Sequence, residues 1–161
     1  MSSSPDQSIR EHVLGLLRGG NAHTSFDDAI AGFPAEARGK QVNGLPYTPW
    51  MLLEHLRIAQ WDILEFSRNP KHASPEWPRG YWPKESGAPS DSAWNKSVKS
   101  FRSDLKGMEQ LVSDPKADLY GQIPWGQGQT ILREALLIAD HNAYHIGQLV
   151  VLRRLLGAWQ K

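Results

Sequence analysis

The sequence contains no cysteine. That absence excludes disulfide stapling, thiolate metal ligands and a cysteine nucleophile, so any thiol chemistry has to arrive on a small molecule. A surplus of one charge is lacking too: 18 Lys and Arg stand against 17 Asp and Glu, a formal net charge of +1. Such a balance offers no broad basic field for a phosphate backbone or an anionic membrane, and nucleic acid is not an expected partner. No uninterrupted apolar run approaches the ~20 residues that a membrane span requires. The opening Met1-Ser-Ser-Ser-Pro5-Asp6 has no basic stretch followed by an apolar one, so it does not read as a secretory signal. The expected address is the cytoplasm. Strand-like alternation and internal repeats are missing as well, which leaves an all-α fold.

What is present suits one helical domain over residues 1–161. A chain of that length can bury roughly two-thirds of its unfolded surface. Four helical segments follow from periodicity. The first begins near Asp6 and carries Ile9, Val13, Leu16 and Leu17 at spacings of three and four. Gly19-Gly20 breaks or kinks it, and the pattern resumes with Ala22, Phe26, Ile30 and Phe33 before Pro34. One bent helix and two short ones both fit. The second helix, Trp50 to Arg68, is announced by Thr48 as N-cap and Pro49 at the first helical position. Leu52, Leu56, Ala59 and Ile63 form its stripe, and Asn69-Pro70 ends it.

From Pro70 to Pro89 prolines are too dense for regular helix. A loop of this length is either a lid or binding segment, or a strap that Trp77 and Trp82 pin to the bundle. The third helix starts at Ser90 or Asp91. Its Trp94, Val98, Phe101, Leu105, Met108 and Val112 recur at spacings of 4, 3, 4, 3 and 4, the seam of a bundle helix, and Asp114-Pro115 closes it. The fourth runs from about Thr130 to Leu156 and stops at Gly157. It is apolar on most of its circumference, so it is either central or packed on one side against a second subunit.

The chemistry concentrates in Asp140-His141-Asn142-Ala143-Tyr144-His145-Ile146-Gly147-Gln148. Histidines four apart project from one helix face, one turn from each other, and both can reach one metal at ~2.0–2.1 Å. The same side carries Glu134, Leu137, Ile138, Gln148 and Leu152, so these rings point inward. Spacing alone also suits two histidines that simply bond to other side chains. Asn142 stands where a zinc peptidase of the HExxH type has its glutamate, so that chemistry is not indicated. His55, in register with Leu52, Ala59 and Asp62, can supply a third imidazole from the facing second helix. Three nitrogen ligands with an open position is the ligand count of a catalytic metal. His72 is expected to be solvated in the loop, His12 lies among polar residues, and His23 reads as helix surface or cap.

Three blocks then resemble the DinB-like (DinB/YfiT-like) superfamily of metalloenzymes: Ala22-His23-Thr24-Ser25-Phe26, Trp50-Met-Leu-Leu-Glu-His55-Leu-Arg-Ile-Ala59-Gln60-Trp61, and Ala139 to Gln148. The resemblance implies a four-helix bundle in up-down-down-up order, frequently a homodimer. It implies a divalent metal, zinc or nickel most often, on His55, His141 and His145. Family activities include transferases and isomerases that use a low-molecular-weight thiol. The expected function is therefore a metal-dependent enzyme, a thiol S-transferase or a hydrolase, acting on a small molecule. An open coordination position would hold a thiolate or water whose pKa the metal depresses. Glu134, Tyr144 and Gln148 are candidates for support or proton handling. The alternative is a binding or stress-associated bundle whose metal is not catalytic.

Overall fold

A computed structural model describes residues 4–159, which form five α-helices and no strand. Helix α1 (Pro5–Arg18) begins where the Ser4 side chain accepts a hydrogen bond from the Gln7 amide, with Pro5 in the first turn. It stops at Gly19 and Gly20, whose φ angles of 67° and 76° lie in the left-handed region that side chains disfavour. The segment thus forms two separate helices rather than one bent helix. The second piece, α2 (Phe26–Ile30), is only five residues long and is capped by Ser25. Ala22 and Phe33 fall outside it, although Phe33 is buried.

Helix α3 (Pro49–Arg68) starts at the expected cap, Thr48, whose hydroxyl accepts from the Met51 amide. Helix α4 (Asp91–Ser113) is capped by Ser90 and α5 (Ile131–Leu155) by Thr130. Between α3 and α4 the chain is irregular except for one 3-10 turn at Arg79–Tyr81. No helix among the described residues is long and apolar enough to cross a membrane.

Packing follows the apolar stripes. Helix α3 lies against α4 and α5, α1 lies against the same two, and α2 rests on α5. One apolar cluster joins Phe26, Phe33, Trp50, Leu53, Trp94, Phe101 and Leu149; a second joins Val13, Leu17, Leu64, Met108, Val112 and Ile138. Trp50 meets Trp94 at 6.4 Å between ring centroids, and a Cβ at Gly107 would come within 2.9 Å of Leu64. Glycine at 107 thus sets how closely α3 and α4 approach.

Two arginines tie off helix ends with the carbonyls that no helical N–H reaches. Arg10 donates to Val112 O and Asp114 O at 2.7 and 2.9 Å, where α4 ends, and to Ala117 O at 2.8 Å. Arg153 is buried on α5 and donates to Ala29 O, Ala31 O and Ala158 O at 2.8, 2.6 and 2.9 Å, holding α2 in place.

Candidate metal centre

Two elements bring the three expected histidines together. On α3, the stripe that buries Leu52, Leu56 and Ala59 carries His55 inward at 5% exposure. On α5, His141 and His145 lie one turn apart on the side facing α3, half-buried and buried respectively. The donor atoms of all three fall within 4.8 Å of one another. His55 Nε2 is 3.1 Å from His145 Nε2 and 3.1 Å from His141 Nε2. These residues lie close together and could hold a metal ion.

The outer nitrogens say which atoms are bare. His55 Nδ1 is 2.9 Å from the main-chain oxygen of Tyr81. A carbonyl only accepts, so Nδ1 carries the hydrogen and the neutral ring presents a lone pair at Nε2. His145 Nδ1 is 2.7 Å from Gln148 Oε1, which leaves the same lone pair at its Nε2. Two lone pairs facing each other across 3.1 Å repel unless something positive lies between them. A shared proton is disfavoured: burial lowers the basicity of His55 and of His145, and pushes His141 down to about 3, with the neighbouring imidazoles adding to the effect. A cation accepts lone pairs from neutral imidazoles, so the donor set fits a divalent metal. Tetrahedral bonds of ~2.0–2.1 Å would place nitrogens roughly 3.3 Å apart, close to the observed spacing.

Around the imidazoles is a cavity of about 370 Å³ lined by Ala59, Ile63 and Leu137 as well as Asp62, Trp77 and Tyr81. Trp82 lies flat on His55, 4.0 Å between centroids and 3° between planes. Asp62 accepts from the Tyr81 hydroxyl at 2.6 Å and from His72 Nε2 at 2.7 Å. Burial first, and then the Asp62 carboxylate, push the Tyr81 phenol up to about 12, so it stays a donor.

The Pro70–Pro89 segment is therefore a strap against α3 as well as a wall of the cavity. His72 is not solvated as expected: its side chain is 7% exposed because Asp62 and the edge of Trp61 enclose it. Of the three candidates for support or proton handling, Gln148 meets the cluster, with Oε1 on His145 Nδ1. Glu134 is buried but pairs with Arg133, away from the cavity lining. Tyr144 touches the His145 ring edge-on yet is 64% exposed, so it faces away from the cavity. His12 and His23 are exposed and do not join the cluster.

Sequence reasoning missed Tyr81 and the covering role of Trp82. Their placement depends on a loop whose path has no periodicity to read. Asp62 did leave a signal, a carboxylate in register with His55 and Ala59 on an otherwise apolar stripe. The chain matches no known family model, no curated protein and no solved structure.

Proposed function

We propose that this chain is a DinB-like metal-dependent enzyme that binds zinc or nickel through His55, His141 and His145 and transfers a small-molecule thiol to an electrophilic substrate. One observation carries the reading: three imidazoles, two of them with a bare lone pair at Nε2, converge from α3 and α5, with His55 Nε2 at 3.1 Å from each of the other two, beside a cavity of about 370 Å³. When bound, the ion supplies Lewis acidity, which makes a thiol or water acidic enough to react near neutral pH.

The chain's own groups do the rest. Tyr81 O and Gln148 Oε1 hold two rings with Nε2 inward. Ala59, Ile63, Leu137 and Trp77 give the substrate apolar walls. Asp62 is the single carboxylate among the lining residues, and both of its oxygens already accept hydrogen bonds. With no lining carboxylate free to take a proton, a thiol, which is far more acidic than water, is the easier of the two to activate, so this arrangement favours a thiol transferase. The same lack of a free base also supports a second reading, a non-catalytic metal-binding bundle.

The up-down-down-up order is supported by which ends meet. Trp50 lies by Trp94 and Leu64 by Gly107, which suits α3 and α4 running the same way. Arg10 of α1 reaches Val112 near the end of α4, and His55 and Gln60 of α3 meet His145 and Asn142 of α5 in reversed order.

Elemental analysis of the purified chain tests the site: one zinc or nickel per chain is expected, lost in the His55→Ala, His141→Ala and His145→Ala variants. Conjugation of monochlorobimane to several low-molecular-weight thiols tests the reaction. Stoichiometric metal without turnover above a chelated control, for every thiol tried, would leave the non-catalytic reading standing.

A further inference from the structure

Asp62 follows His55 by seven residues on α3, nearly two turns or about 10 Å along the axis. It is 8% exposed, it is not one of the clustered donors, and its two oxygens are spent on the same strap. Oδ1 accepts from His72 Nε2 at 2.7 Å and Oδ2 from the Tyr81 hydroxyl at 2.6 Å. From that anchored phenol the chain of contacts returns to the helix it left. Tyr81 O, on the same residue, accepts from His55 Nδ1 at 2.9 Å, and the next residue, Trp82, covers the face of that ring at 4.0 Å.

His55 is thus gripped on its edge and on its face by two consecutive residues. The side-chain bonds that fix the first of them to α3 end on Asp62. Without Asp62 the phenol would lose its acceptor, and the carbonyl opposite Nδ1 would be held only by the course of an irregular, proline-rich strap.

We propose that Asp62 is a positioning residue of the metal centre: by anchoring Tyr81 it sets the carbonyl that keeps the hydrogen of His55 on Nδ1 and its Nε2 aimed at His141 and His145. The inference rests on the metal reading above and adds a residue that binds neither ion nor substrate. Groups that orient a ligating imidazole from behind typically change metal affinity by about 10- to 100-fold when removed.

The test uses the full chain and zinc. Zinc affinity is measured by competition with a chromophoric chelator for wild type, Asp62→Ala, Tyr81→Phe and the double variant. The tautomer of His55 is read from side-chain ¹⁵N spectra of the metal-free protein. About 10- to 100-fold weaker zinc binding is expected for Asp62→Ala and a loss in the same direction for Tyr81→Phe. The double variant should bind about as the weaker single does, because both substitutions break one link. The His55 spectrum should change from a single Nδ1–H form to a mixture.

Variants that bind zinc within twofold of wild type, or that weaken binding while the His55 tautomer is unchanged, overturn the positioning role and leave the metal site intact. A wild-type chain that takes up no zinc overturns both. Should Asp62→Ala fail to fold by circular dichroism, Tyr81→Phe, which removes one hydroxyl, decides the matter by the same two readouts.

Discussion

Asn142 on α5 donates from Nδ2 to Gln60 Oε1 on α3 at 2.8 Å, one residue from His141 and five from His55. Gln60 in turn donates to Phe101 O on α4 at 2.7 Å, so a buried polar ladder crosses three helices between the two apolar clusters. It locks the register that aligns the imidazoles. Removing one rung leaves a buried amide without its partner, a loss of about 1–3 kcal/mol. Urea unfolding of Gln60→Leu and Asn142→Leu should each show that loss, with the double variant costing less than the sum. Strict additivity would mean that the two amides do not act as a unit.

Asp6 gives a pH dependence that is independent of the metal. Its carboxylate accepts from Arg10 Nε at 2.8 Å and from the Tyr120 hydroxyl at 3.0 Å. The bond from Arg10 first, then that from Tyr120, hold its pKa below the usual carboxylate value. A depressed folded pKa means that the unfolded chain takes up the proton first. The tie therefore contributes in full above the unfolded value of about 3.9 and is lost as pH falls through the folded one. Thermal melts of wild type and Asp6→Asn should differ near pH 6 and converge in acid as the pH falls below the folded pKa. A gap of constant size across that window would count against the linkage.

Much of the frame was legible because helix starts are local. Thr48-Pro49, Ser90 and Thr130 announce α3, α4 and α5 through side chains that cap within three residues. The inward register of His55, His141 and His145 also follows from spacing on helices whose apolar faces are strong. The stretch after Gly20 was less legible, for a physical reason. Ser25 starts a new helix at Phe26, and Phe33 is buried past the helix end against Trp94, with the cation of Arg153 5.0 Å from its ring. His72 could not be placed from sequence, since its partner Asp62 is ten residues away across an irregular turn. Tertiary contacts decided it.

The outward face of α5 leads to an expectation about assembly. Leu136, Tyr144, Val151 and Leu155 lie along one face of the helix and are 41–64% exposed. Gly147, at the middle of that face, is exposed, and a Cβ added there would meet nothing within 4 Å. Two such helices crossed antiparallel at Gly147 would set exposed Asp140 of one copy opposite Arg154 of the other, twice by symmetry. A homodimer is expected by light scattering, and Val151→Lys should shift it to monomer without loss of helix signal. A wild-type chain that is monomeric at high concentration would remove this face from consideration.

Trp82 offers an optical report on the site. Its ring stacks on His55 at 4.0 Å and stands 6.4 Å from His145. Nickel and cobalt are open-shell ions that quench an excited indole at such range, whereas zinc has a filled d shell. Titration of the chelated chain with nickel should therefore quench part of the emission of its seven tryptophans, saturating at one equivalent. Zinc added first should block the effect, since it would fill the same three nitrogens. In Trp82→Phe the quench should fall sharply while nickel still binds by calorimetry, because phenylalanine keeps an aromatic cover but removes the reporter. A quench of undiminished size in that variant would show that another tryptophan, such as Trp77 in the wall of the same cavity, reports the ion and that the indole of Trp82 does not.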